Sequence, residues 1–167
     1  LTAGFRYVPY NDLAAAEAAI TEKTCAILVE PIQGEGGVIP AEPAYLAGLR
    51  KLCDEHDLLL IFDEVQAGMG RSGYLFAYQA SGVVPDVVTL AKALGGGTAI
   101  GAFLVNERAN VLVPGEHGAT FGGNALATAA GCAAVGELLR PGFLETVRES
   151  SAYLQERLAE LAKTHSS

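Results

Sequence analysis

The chain has 167 residues, half of them hydrophobic and 18% charged, which is enough apolar material to bury a core. Eleven basic against 19 acidic residues leave a net charge of -8, and with no basic stripe visible this argues against a nucleic-acid-binding or anionic-membrane-binding surface. Apolar runs such as residues 58–62 are far too short to cross a bilayer, and the first residues lack a charged segment followed by a hydrophobic one, so the expected location is cytoplasmic.

Cys25, Cys53 and Cys132 are widely separated, with no Cys-x-x-Cys spacing, and each has apolar or small neighbours. They are expected to be reduced core residues. The first residue is Leu1 rather than a methionine, which fits an internal or processed piece of a longer protein.

Asn11 and Asp12 precede an alanine-rich stretch, residues 13–20, that favours helix, and either can serve as its N-cap. Residues 25–30 read as a strand, apolar up to Glu30. Pro31 then stops it, and glycines at 34, 36 and 37 predict a loop at the carboxyl edge of a sheet. Pro43 opens a helix over residues 44–56 in which Leu46, Leu49, Leu52 and Cys53 recur at helical spacing. The chain returns to a strand at 58–62, completing a β-α-β unit of the usual right-handed kind.

Residues 87–90 form the next predicted strand. After the Gly95-Gly96-Gly97 turn, residues 100–105 supply another, whose contiguous apolar character suits a sheet covered on both faces. Asn124 is placed to cap a helix running to about Leu139, and its small residues suit close helix packing. Pro141-Gly142 breaks that helix, and residues 143–163 predict an amphipathic one with Val147, Leu154, Leu158 and Leu161 on one side. The fold class is therefore α/β, a mostly parallel sheet flanked by helices.

Within this frame Asp63 and Lys92 each end an apolar run that reads as a buried parallel strand. In an open α/β sheet the ligand site lies off the carboxyl ends of the strands, so the acid and the amine should open into one cleft. A partly desolvated lysine can condense with an aldehyde, and a carboxylate can keep a pyridine nitrogen protonated, a pairing that suits pyridoxal phosphate. Taken alone, Asp63-Glu64 fits a solvated strand end and Lys92 a surface lysine equally well.

The surrounding sequence adds weight. EPIQGEGG (residues 30–37), FDEVQAGMGRSG (62–73), PDVVTLAKALGGG (85–97) and HGATFGGNALA (117–127), in that order, resemble the class III, or ω-amino-acid, branch of the fold-type I aminotransferases. FRYVPYNDLAAAEAAI (5–20) is most similar to the acetylornithine and succinylornithine aminotransferases. The likeness covers nearly the whole chain, yet the family's proteins are longer, so this is expected to be an internal piece. The resemblance implies that residues 1–140 belong to the large cofactor-binding domain of the fold-type I architecture. Residues 141–167 then begin the segment leading to a smaller carboxyl-terminal domain.

The same resemblance implies the roles of single residues. Lys92 anchors pyridoxal phosphate covalently and, once freed, moves the substrate proton as a base. Asp63 pairs with the pyridinium nitrogen, whereas alternation along the strand end turns Glu64 elsewhere. Gln66 matches the position that hydrogen-bonds the cofactor's phenolic oxygen, against the plainer alternative of a polar loop residue. Glu35 matches a glutamate that pairs with a substrate-binding arginine in one half-reaction and releases it in the other, with Glu30 and Gln33 supporting its loop. Thr120 matches the threonine that reaches across a dimer interface to the neighbouring subunit's cofactor phosphate, against the alternative of a glycine turn without a ligand. Arg71 resembles a structural loop arginine. His56, His117 and His165 have no metal-ligand spacing, so no metal is expected.

Ala119 and Ala125 stand where the family often has serine and proline. The family's main phosphate turn, its ring-stacking aromatic and its substrate-binding arginines are expected outside residues 1–167. The function implied is transfer of an ω-amino group, from N-acetylornithine to 2-oxoglutarate in arginine biosynthesis, by a homodimer with shared sites. Ornithine and 4-aminobutyrate aminotransferases are the alternatives within the enzyme class, and a folded scaffold inactive on its own is the alternative outside it. An acid-dyad hydrolase on Asp63-Glu64 is disfavoured, because no histidine stands near either residue in sequence.

Overall fold

The computed structural model describes residues 2–165; Leu1, on which the non-methionine start rests, and residues 166 and 167 lie outside the described part. Helix α1 (Leu13–Ala19) starts at Asp12, whose carboxylate accepts the Ala15 amide at 2.8 Å. Asn11 does not cap it. That residue instead takes a left-handed φ of 61° and accepts the Glu42 amide at 2.9 Å, tying the entry of α1 to the entry of the next helix.

Strand β1 (Ala26–Val29) leads into an antiparallel pair, β2 (Ile32–Gln33) and β3 (Ile39–Pro40), where the sequence predicted only a loop. The pair is two residues deep, too short for an alternating pattern to announce it. Helix α2 (Pro43–Glu55) has its proline at the first turn, where no helical hydrogen bond is lost. It buries Leu46, Leu49, Leu52 and Cys53, as their spacing predicts. Strands β4 (Leu59–Asp63) and β5 (Val87–Leu90) follow, then β6 (Ala102–Val105), α3 (Ala125–Leu138) capped by Asn124, and α4 (Phe143–Thr164). The sheet order is β1-β4-β5-β6, with the first three strands parallel and β6 antiparallel to β5.

Registered neighbours project to the same face of a sheet. Val29, Phe62 and Val88 therefore share a face, together with Leu60 and Leu90, and all five are buried. Against this face pack Tyr45, Leu46 and Leu49 of α2 at one side and Met69, Leu94, Val135 and Leu138 at the other. The opposite face carries Leu28, Ile61 and Val87, which are half-buried or exposed. The expectation of a sheet covered on both faces is thus corrected: residues 2–165 supply a covering layer to one face only, and β6 is exposed along its whole length.

The cysteine reading needs a similar correction. Only Cys53 is buried, where loss of solvent pushes its thiol up to about 11, while Cys25 and Cys132 are exposed because their neighbours here do not cover them. All three are free. The small residues of α3 serve close packing at Ala127 and Gly131, the latter lying under the Leu94 carbonyl.

Asp86, just before β5, is a buried carboxylate that joins four elements. It accepts the Leu60 amide at 2.8 Å, Arg50 of α2 at 2.9 Å and the Asn106 amide group at 2.8 Å. Burial alone would raise its pKa, but these donors outweigh it and hold Asp86 below its ordinary value. Helix α4 is docked only at its start, where Leu144 approaches Gly70 and Arg148 donates to the Gly73 carbonyl and lies over the Tyr74 ring. Beyond residue 150 its described side chains are exposed. Among the described residues no helix is long and apolar enough to cross a membrane.

Candidate active site

The carboxyl ends of β4 and β5 lie side by side, in register as Asp63 against Thr89. Lys92 follows β5 in a single 3-10 turn, Lys92–Gly95, with a left-handed φ of 36°. A non-glycine residue in this region is strained, and such strain is held where surrounding structure over-determines the position. Here Leu94 and Gly95 are buried against α3, so the turn has little freedom to relax. The Lys92 amine is exposed, contrary to the partial desolvation its strand-end setting suggested, because nothing among the described residues roofs it. It donates to Gln66 Oε1. Lysine and glutamine, 26 residues apart, are brought together, while Asp63, expected to open into the same cleft as Lys92, lies outside the cleft lining.

Asp63 is half-buried and accepts the Val65 amide through Oδ1 at 2.9 Å, leaving Oδ2 without a partner among the described residues. By strand alternation it belongs to the open face. Glu64 turns the other way and is 1% exposed, so the two consecutive acids have opposite environments.

The β2–β3 pair stands beside these strand ends. Its base is fixed by Tyr10, whose hydroxyl donates to the Glu30 carbonyl at 2.8 Å, and by Glu30 Oε2, which accepts the Gly34 amide at 3.2 Å. Burial together with neighbouring Tyr45 and Glu30 pushes the Tyr10 hydroxyl up to about 12. A Cβ on Gly34 would lie 2.4 Å from the Gln66 side chain, which would have to give way. Ile32, Gly34 and Val38 on one side and Gln66, Ala67 and Lys92 on the other enclose a cleft of about 400 Å³.

Glu35 is exposed at the tip of the hairpin, outside the cleft lining. Glu30 holds the loop, and Gln33 lies beneath Gly36, consistent with supporting positions for both. Thr120 is exposed on the segment between β6 and α3, with no hydrogen bond to Lys92, Gln66 or Asp63 among the described residues. The sequence reading missed Ile32, Val38 and Ser72 as lining residues and gave Arg71 a purely structural place, whereas its side chain also lines the cleft. The Ser72 hydroxyl is buried without a hydrogen-bond partner among the described residues. The apolar pair around EGG was the signal available for Ile32 and Val38. A larger open groove of about 530 Å³ at the α3–α4 junction is lined by no titratable side chain except Arg140, and offers no comparable chemistry.

The family model described as aminotransferase class III matches residues 5–167. The chain belongs to this family. Among curated class-III relatives, the acetylornithine aminotransferase of Caldanaerobacter subterraneus is 53% identical over 99% of this chain and 42% of that protein. The succinylornithine transaminase/acetylornithine aminotransferase of Pseudomonas aeruginosa is 54% identical over 97% of this chain and 40% of its own length. Among solved structures, the acetylornithine aminotransferase from Elizabethkingia anophelis superposes with a TM-score of 0.90 at 38% identity, covering 98% of this chain and 42% of that one. The ornithine aminotransferase from Plasmodium yoelii gives 0.87 at 40% identity, covering 95% and 43%. The chain thus spans about two fifths of the length of these class-III relatives, and it shares the α/β architecture of the fold-type I aminotransferases.

Proposed function

We propose that the whole protein is a pyridoxal-phosphate-dependent ω-aminotransferase. The observation that carries the proposal is the meeting of Lys92 Nζ with Gln66 Oε1 at the carboxyl ends of β4 and β5, in a chain of the class-III family. The donor set fits the cofactor: a primary amine and a neutral amide acceptor line an apolar-walled cleft, and a carboxylate with one oxygen to spare ends the neighbouring strand β4, outside that lining. When bound, pyridoxal phosphate supplies an electrophilic aldehyde and an electron-withdrawing ring.

Lys92 holds the cofactor and carries the substrate proton through its Nζ, which is exposed and within reach of an incoming ligand. Asp63, with Oδ2 unpartnered among the described residues, would hold the ring nitrogen protonated. Gln66, whose side chain lies against Gly34, would serve the cofactor's phenolic oxygen and orient the lysine. Glu35 at the hairpin tip acts at the rim, where it pairs with a substrate-binding cation. Thr120 acts on the phosphate held by the partner subunit of a homodimer. Residues 141–167 begin the link to a second, smaller domain, which is supported by the docking of α4 through its first turns alone.

The preferred donor is N-acetylornithine, with 2-oxoglutarate as acceptor, in cytoplasmic arginine biosynthesis, on the strength of relatives 51–57% identical that bear the acetylornithine name. Ornithine is the second reading, supported by the likeness to the Plasmodium yoelii structure. Loading the whole protein with pyridoxal phosphate, reducing with borohydride and mapping peptides should place the pyridoxyl mass on Lys92. Finding it on Lys23, Lys51 or Lys163 overturns the assignment. A higher kcat/KM for ornithine than for N-acetylornithine would favour the second reading.

A further inference from the structure

Between β4 and the 3-10 turn Ala77–Ala80, residues 65–76 form a loop that carries Gln66, Arg71 and Ser72 to the cleft. Its ends are joined by one side chain. Glu64, the residue after β4, is 1% exposed, and its carboxylate accepts the Ala77 amide through Oε2 at 2.6 Å and the Tyr78 amide through Oε1 at 2.7 Å. No cation among the described residues acts on it; the two N–H groups are its compensation for burial. Its backbone is held as well, donating to the Thr89 carbonyl at 3.0 Å and accepting the Gly68 amide at 3.0 Å.

A buried carboxylate with no counter-charge costs stability, so a neutral side chain would serve better if filling the core were its task. Two acceptor oxygens on a planar group suit another task, gathering two successive amides. The loop offers further signs of being drawn tight. Met69 and Gly70 have left-handed φ values of 54° and 84°, and a Cβ on Gly68 would lie 2.8 Å from the Glu64 carbonyl and 2.9 Å from Oε2. Gln66 is the second residue inside this closure, and its amide meets Lys92.

We propose that Glu64 is a positioning residue: its buried carboxylate closes the 65–76 loop and thereby sets Gln66 against the Lys92 amine. The inference deepens the functional reading above and rests on it for its consequence in catalysis. Its geometry concerns this chain's residues alone.

The test uses the whole protein freed of cofactor and follows acylation of individual lysines by an amine-reactive reagent at one pH, read by peptide mapping. An amine released from its hydrogen-bond acceptor is freer to meet the reagent. Glu64→Gln leaves one loop amide facing an NH₂ group, and Glu64→Asp falls short of reaching both. In each variant Lys92 acylation should rise roughly threefold, as in Gln66→Ala. The double variant Glu64→Gln/Gln66→Ala should show no increase beyond Gln66→Ala, because the effect of Glu64 passes through Gln66. Lys51 and Lys163 serve as internal references and should not change.

A wild-type Lys92 acylation rate in folded Glu64→Gln, or additive effects in the double variant, overturns the proposal. Failure of both Glu64 variants to fold overturns it too, since the residue would then be general core. A protein whose Lys92 takes no pyridoxal phosphate would defeat the functional reading while leaving these acylation results to stand or fall separately.

Discussion

Asp63 and Glu64 are adjacent, chemically alike, and put to opposite uses by strand alternation. Asp63→Asn keeps the shape and the Val65 contact but removes the charge available at Oδ2. Under the proposed function, turnover should fall on the order of a hundredfold or more while Lys92 still takes up cofactor. Steady-state kinetics alongside the absorbance of the loaded protein checks both halves, and near-normal rates would refute the role given to Asp63. Gly34→Ala probes the same site from the hairpin. The new Cβ meets the far end of a flexible glutamine, so stability should change by less than about 1 kcal/mol. Turnover should drop about tenfold, the value of one displaced hydrogen bond; an unchanged melting curve with reduced kcat is the expected pair of results. The strand-end placement of Asp63 and Lys92 was legible in sequence because apolar runs precede both, whereas Gln66 was singled out through the family resemblance. The latching role of Glu64 was not, since its partners are backbone amides at 77 and 78, and amides carry no sequence signal.

At the level of single elements, helices were read to within a residue or two wherever a capping side chain or proline fixed the boundary, as at Asp12, Pro43 and Asn124. The β2–β3 pair escaped because its glycines and proline describe a loop as well as a hairpin. Helix α2 offers the plainest stability test: Leu49 is fully buried, and Leu49→Ala should cost about 3 kcal/mol, seen as a lower urea midpoint at unchanged m. Asp86 gives a pH-dependent test. Its folded pKa is depressed below 3.8, so its contribution is present above the unfolded value and is lost as pH falls through the folded one. The stability gap between wild type and Asp86→Asn should therefore be full at neutral pH and close below about pH 4. A gap that persists unchanged in acid would mean the carboxylate charge is not what joins α2, β4 and the β6 end.

Over the whole molecule, the parallel order and the crossover helix followed from apolar runs separated by a helical pattern. Which face would be covered did not, because apolar runs record burial somewhere without naming the covering layer. Thr120 belongs to this scale, lying exposed on a segment remote from Lys92 in hydrogen bonding. If it serves a partner's site, mixing inactive Lys92→Ala and Thr120→Ala subunits of the whole protein places both lesions in one site of each hybrid dimer and none in the other. Random exchange should then restore about a quarter of wild-type activity. No recovery after verified exchange would count against a shared site.

Strand β6 closes the sheet at one edge with Phe103, Leu104 and Val105 all exposed and, among the described residues, one row of peptide groups without a neighbouring strand. An apolar ribbon of this kind is a template on which a second ribbon can grow. Residues 1–167 expressed by themselves should accordingly show turbidity that rises with concentration, and a lysine at Leu104 should raise the concentration at which scattering begins. The same substitution in the whole protein should instead lower yield of folded material, because Leu104 is registered with buried Val88 and the charge would sit on that face.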